Sequence, residues 1–297
     1  MGKLNQLKTV AKDPRWINFY FQRRFQNPVY RQKIAGFVAK RRPNATIVDP
    51  QAAAKGVADL QASGLSPLGQ LLTATQCEEL IAYFNGCKVR DPYNSSVPKF
   101  HPLSDDRPVT AHVAHHDAKD IINAPYLLDI ANDPRVLDVV AGFLGCKPTI
   151  GYIATWWSYP TPGAPQQAEN FHRDVDDWRF VKLFLYLTKV ETKNGPHKYV
   201  LHSSSKPVLN KIKRLDDAQV ADAFGAENIK TMTSEAGHGF LEDTYGVHKG
   251  QPLQEKNRLL FQVVYTLNPL PYGPTKPVKP ASEVAHVDQW TNRVYLK

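Results

Sequence analysis

The sequence predicts an α+β protein with a mainly β core: a sheet sandwich or small barrel with helices packed outside it. Helical periodicity dominates the first half of the chain. From about residue 149 the period changes to alternation and several strand-like runs follow, and nowhere do strands and helices alternate as βαβ units. At 297 residues the chain is long enough to bury a substantial core.

Residues 14–42 read as two short helices parted at Asn27-Pro28, with Trp16, Ile17, Tyr20, Phe21, Phe25, Tyr30, Ile34, Phe37 and Val38 set among basic residues. The Pro- and Ala-containing stretch 43–64 reads as a linker. Thr73 is a plausible N-cap for a helix over 74–84, and a second helix is expected over about 119–144, interrupted near Asp133-Pro134 and stopped at Gly145. Strands are expected at 149–158, 180–190, 197–201, 239–242 and 258–267, with Asn194-Gly195 as a turn between two of them. Residues 205–230 form a polar insertion with a helix near 215–225, and the chain beyond about 272 is Pro-rich with little periodicity.

Hydrophobic residues make up 42% of the chain and charged residues 22%, with a mean hydropathy of −0.41, which places it among water-soluble globular proteins. No stretch approaches the roughly 18 apolar residues of a spanning helix, and the N-terminus lacks the apolar core of a secretory signal. Three scattered cysteines, Cys77, Cys87 and Cys146, suit a reducing compartment, so a cytoplasmic protein is expected. The net charge of +9 is uneven: residues 1–48 hold eleven Lys and Arg against one acid, Asp13, a charge of +10, which leaves −1 for the rest. Three roles fit the basic segment 14–42: a membrane-surface helix, a dock for an acidic partner, or helices packed on the barrel with a solvated basic face. Nucleic-acid binding is not expected, because charge without a recognised motif is weak support.

The segment Phe171-His172-Arg173-Asp174 precedes the most apolar run of the chain, 181–187. Residues two apart in an extended segment point the same way, so His172 and Asp174 can hold one cation together. A second imidazole would complete a two-His-one-carboxylate face with three open positions, diagnostic of non-haem Fe(II) oxygenases. His248, 74 residues beyond Asp174, is the candidate third ligand. Ten residues later Arg258 opens another apolar run, and its guanidinium suits the distal carboxylate of a keto acid. His-x-Asp alone arises easily by chance. A second copy, His115-His116-Asp117, precedes a helix and not a strand, and a structural or substrate-facing role is expected for it.

These residues resemble the phytanoyl-CoA dioxygenase family of Fe(II)/2-oxoglutarate oxygenases. The resemblance runs over about residues 64–270 and includes the run 182–187, the turn Glu191-Thr-Lys-Asn194-Gly195-Pro196, the strand end Tyr199-Val-Leu-His-Ser203, and 242–250. It implies a double-stranded β-helix, the jelly-roll or cupin-like fold, with flanking helices. It also implies Fe(II) on His172, Asp174 and His248, with 2-oxoglutarate as cosubstrate on Arg258 and O2 as oxidant. The reaction implied is hydroxylation of a small molecule with release of succinate and CO2, and a carboxylate at Asp174 leaves no vacancy for chloride. The chain departs from the family's frequent Pro-Gly-Ser-His at Leu201-His202-Ser203-Ser204, a changed loop near the site mouth.

Within this frame Lys182, on one face with Phe184 and Tyr186, either contacts 2-oxoglutarate or an acidic substrate, or snorkels outward. Trp156, Trp157 and Trp178 line the pocket or fill the core. Glu242 and Asp243 orient the distal histidine or cap a loop. The expected organisation is a basic helical extension and linker over 1–55, the oxygenase domain over 56–272 and a Pro-rich tail over 273–297. Two other functions fit the sequence: a cupin-like metalloenzyme not using 2-oxoglutarate, which would not need Arg258, and a non-catalytic protein binding membranes or partners through its N-terminus.

Overall fold

The structure, a computed structural model, describes residues 3–297; the first two residues of the expected extension over 1–55 lie outside it. After α1 (Lys3–Lys12) come the two expected N-terminal helices, α2 (Arg15–Gln22) and α3 (Pro28–Ala39). Asn27 caps α3 by accepting from the Val29 amide, with Pro28 in the first turn. The stretch read as a linker is corrected here: most of it is α4 (Pro50–Ser63). Its signals were present, with Asp49 accepting from the Gln51 and Ala52 amides, Pro50 in the first turn and Gly64 closing the helix at φ 86°. The mixed composition masked them, because α4 is helical through caps and packing against a later helix and has no strong apolar stripe.

β1 (Leu65–Gln70) precedes α5 (Ala74–Gly86), where Thr73 and Gln76 form a capping box. After β2 (Val113–His115) the expected long helix is three helices: α6 (Ala118–Asn123), α7 (Leu127–Ala131) and α8 (Pro134–Leu144). Pro125 stops the first, and Asp133 restarts the chain by capping α8, which ends at Gly145. α4 crosses α8 closely: a Cβ on Gly56 would lie 2.6 Å from Val139 Cγ2, and one on Gly142 would lie 2.7 Å from Val57 Cγ2. β3 (Thr149–Ser158), β4 (Phe180–Tyr186), β5 (His197–Val200), α9 (Asp217–Phe224), β6 (Ile229–Met232), β7 (His238–Glu242), β8 (His248–Gly250), β9 (Arg258–Thr266) and α10 (Gln289–Asn292) complete the chain. β1, β2, β6 and β8 are too short or too polar to show alternation.

The strands form two antiparallel sheets, a six-stranded one in the order β1-β7-β4-β9-β3-β2 and a three-stranded one in the order β6-β5-β8. This is the expected jelly-roll. β4 lies between β7 and β9 and is buried along its whole length, which accounts for its continuous apolar run. One face of the large sheet, with Ile153, Trp157, Val181, Leu183, Leu185, Leu259, Phe261 and Val263, joins the core beneath the helices. The other carries Phe184, Tyr186, Phe240 and Leu260 toward the small sheet.

The N-terminal helices pack against the barrel through their arginines. Arg31 is 2% exposed and donates to the carbonyls of Gln22 and Phe25 at 3.0 Å, and to that of Asp177. Arg15 reaches Pro274 O at 3.0 Å, and Arg42 reaches Leu267 O at 3.0 Å. Trp178 packs on Phe21 and Phe25 and donates to Asn18. The outer surface leaves Ile17, Phe21, Val29, Tyr30 and Phe37 exposed. Residues beyond 272 are also docked, with Tyr295 buried and its hydroxyl accepting from the Ile153 amide at 2.7 Å. No described helix is long and apolar enough to cross a membrane.

Replacing Arg31 strands three carbonyls. Arg31→Ala is expected to destabilise the protein by about 2–4 kcal/mol, a fall in melting temperature of roughly 4–12 °C. Thermal denaturation followed by circular dichroism checks this, and an unchanged midpoint would show the N-terminal helices to be energetically uncoupled from the barrel.

Candidate metal centre

His172 and Asp174 lie in the extended segment before β4, and His248 opens β8. The two histidines are opposed as an isolated antiparallel bridge, each amide donating to the other's carbonyl at 2.9 Å. The Asp174 amide donates to Thr244 O at 2.9 Å and continues the pairing. The bridge brings the imidazole centroids to 4.3 Å.

Both rings are held in one tautomer. A carbonyl can only accept, so His172 Nδ1 donates to Asn170 O at 2.9 Å and His248 Nδ1 to Gly246 O at 3.0 Å. Each Nε2 is thereby turned toward the Asp174 carboxylate. His248 Nε2 stands 3.2 Å and His172 Nε2 3.6 Å from the Asp174 carboxylate oxygens, and one atom from each residue lies within 4.8 Å of the others. Ligands bound to one ion at about 2.0–2.2 Å stand about 3 Å apart, so small adjustments seat a metal. Among the described residues this is the one such cluster. Burial and the neighbouring His248 push the His172 imidazole down to about 3. Against the opposing effect of burial, Lys182 and the two imidazoles hold the Asp174 carboxyl well below its usual range. Against burial, the Asp174 carboxylate raises the His248 imidazole above its usual range, so Asp174 is the anion on which both rings are set.

Lys182 points inward along the face with Phe184 and does not snorkel. Its ammonium bonds Asp174 Oδ2 at 2.6 Å and Asp176 Oδ2 at 2.9 Å. Glu242 and Asp243 do not orient His248, whose ring is held by Gly246. Glu242 pairs instead with His197 Nε2 at 3.0 Å, and Asp243 accepts from the Tyr245 amide at 3.2 Å, closing the turn. Burial raises Glu242 to about 8. His197, absent from the sequence-based set, stacks 5.4 Å from His248; its isolated position gave no motif to find it by.

A cavity of about 230 Å³ runs from the two histidines and Asp174 to Arg258 at the start of β9. Arg258 is 5% exposed and bonds Ser158 Oγ through Nη2 at 3.1 Å. Its Nε and Nη1 are buried without a partner. A buried guanidinium with two unused donor atoms and no ion pair among the described residues fits an anionic ligand. Tyr152, Trp156, Phe184 and Leu260 form much of the wall. Trp156 stacks on His115, Trp157 lies in the outer core and Trp178 under α2.

The second His-x-Asp disperses. His115 faces the cavity, His116 packs on Phe84 with a centroid distance of 4.5 Å, and Asp117 pairs with Lys99 and Arg90. In the loop that departs from Pro-Gly-Ser-His, His202 turns outward to Ala62 O, while Ser203 Oγ donates to Val200 O at 2.6 Å and accepts from the Val247 amide at 2.7 Å. Ser203 thereby ties the end of β5 to the residue before His248.

No family model matches the chain, and no curated protein matches it. Solved structures do. EctD from S. alaskensis, in its apoform, is 19% identical with a TM-score of 0.53, over 75% of this chain and 80% of that one. HygX from Streptomyces hygroscopicus, with nickel and 2-oxoglutarate bound, is 15% identical with a TM-score of 0.52, over 78% and 92%. The epimerase SnoN of nogalamycin biosynthesis, in complex with Fe3+, alpha ketoglutarate and nogalamycin RO, is 16% identical with a TM-score of 0.50, over 73% and 84%. At these identities the likeness establishes the fold.

The geometry separates the two His-x-Asp sequences by experiment. Asp174→Ala is expected to abolish stoichiometric binding of Co(II) or Ni(II), and Asp117→Ala to leave it intact, as read by elemental analysis and d–d absorption after gel filtration. The opposite outcome would move the metal to His115 and Asp117.

Proposed function

We propose that the chain is an Fe(II)- and 2-oxoglutarate-dependent oxygenase of the phytanoyl-CoA dioxygenase type that hydroxylates a small molecule. One observation carries the reading: the unpaired, buried Arg258 closes the same cavity whose other end is the His172, Asp174 and His248 cluster. A metal alone explains the cluster and leaves Arg258 without a purpose. A metal-chelating keto acid with a distal carboxylate explains both. The similar structures described with 2-oxoglutarate or alpha ketoglutarate bound support the same reading.

His172 and His248 supply Nε2, and Asp174 supplies one carboxylate oxygen while Lys182 holds the other. When bound, iron with 2-oxoglutarate and O2 supplies the oxidising power, converting the keto acid to succinate and CO2. Arg258, steadied by Ser158, grips the distal carboxylate. Trp156, Phe184 and Leu260 keep water from the space between. Lys182 is assigned to Asp174 and Asp176 and not to the cosubstrate, because its ammonium already meets two carboxylates. The working unit is placed in 56–272, with 1–55 as its cover and 273–297 as a docked tail.

Loss of one member of a buried charged pair costs about 2–5 kcal/mol, so Arg258→Ala should weaken 2-oxoglutarate binding by about tenfold or more. Calorimetry on the nickel-loaded protein reads this, with metal content unchanged as the control. Equal affinity in the variant would favour a cupin-like metalloenzyme that does not use the keto acid.

A further inference from the structure

Two recesses meet at the metal ligands. The cavity ending at Arg258 is one. The other, of about 270 Å³, has His172, Asp174 and Asp176 in its wall and Arg23, Lys213 and Arg214 around it. His172 and Asp174 are the residues common to both.

The charges around the second recess are unbalanced. Its two acids, Asp174 and Asp176, are both engaged by Lys182. Lys213 and Arg214 form no ion pair among the described residues. Arg23 donates to Val175 O at 3.2 Å and lies over the Phe19 ring, contacts that place it without neutralising it. The stretch 205–215 contains Lys206, Lys211, Lys213 and Arg214 and no acid.

These cations are not on a free loop. Arg173, between the two ligands and itself part of the recess lining, has its guanidinium taken up by carbonyls. It donates to Leu209 O at 3.1 Å, Val208 O at 2.8 Å, Lys206 O at 3.3 Å and Tyr245 O at 2.6 Å. The Leu215 amide donates to Phe171 O at 2.8 Å. The segment is thus pinned at both ends to the strand that carries the ligands. Uncompensated cations held together near a site repel one another, and an anion seated among them relieves this.

We infer that this recess receives the substrate, and that the substrate carries a dianionic group, a phosphoryl or a pair of carboxylates, held by Arg23, Lys213 and Arg214. The inference rests on the oxygenase reading and adds the substrate class. Arg258 is reserved for the cosubstrate from the other side, so the two anions do not compete.

The test uses nickel-loaded protein with 2-oxoglutarate bound, titrated by calorimetry with ribose 5-phosphate, with tricarballylate and with ribose. Ribose 5-phosphate or tricarballylate is expected to bind about tenfold or more tighter than ribose, and to weaken as salt is raised; which of the two binds identifies the group. The double variant Lys213→Gln, Arg214→Gln should lose this preference while 2-oxoglutarate affinity stays unchanged. Lys206→Gln with Lys211→Gln, equal in charge but outside the recess, should retain it. Equal binding of all three compounds, or a preference that survives in the first double variant, would overturn the anion assignment. If 2-oxoglutarate itself fails to bind the nickel-loaded wild type, the oxygenase reading falls instead, so the two failures are distinguishable.

Discussion

The site depends on one pair of hydrogen bonds, between the backbones of His172 and His248. Two segments distant in sequence must run antiparallel in a single register, because a slip of one residue turns every side chain to the other face. The bridge is flanked by Asp174 N to Thr244 O on one side and by the pairing of β5 with β8 on the other. With the strands fixed, the ligand positions follow. The carbonyls of Asn170 and Gly246, each two residues before a histidine, set both tautomers, so the local backbone supplies the control that distant carboxylates often provide.

Much of this was legible in the sequence. The period change near residue 149, the apolar run of β4, and His172, Asp174, His248 and Arg258 all left patterns that do not require knowing the fold. What was hidden was hidden for physical reasons. α4 has caps but no strong stripe. β8 has only three residues and gains its strand character from its neighbours. His197 and Asp176 matter through partners brought to them by the fold, Glu242 and Lys182. Lys182 was readable as inward or outward facing, and only the proximity of Asp174 and Asp176 decides between them. The His115-His116-Asp117 triplet shows the converse, since its ligand-like spacing is undone by a chain that directs each side chain elsewhere.

The +10 of the N-terminal segment overstates the charge it can offer to solvent. Arg31 is spent wholly on carbonyls inside the protein, Arg15 on Asp13 and the 273–274 backbone, and Arg42 on residues 267 and 268. These arginines act as multidentate donors to chain ends and turns, a use that depends on the shape of the guanidinium as much as on its charge. Composition alone cannot separate such structural cations from those left on the surface.

Arg173 sits between His172 and Asp174, and every acceptor its guanidinium holds is a main-chain oxygen. Carbonyls at 206, 208 and 209 exist whatever side chains those positions carry. The segment beside His172 and Asp174 is therefore fastened independently of its own side chains. Its charge and bulk are free to diverge between descendants of this chain while His172, Asp174 and His248 keep their spacing. Evolution, or a designer, can revise the side chains of this segment without disturbing the register that brings His172, Asp174 and His248 together.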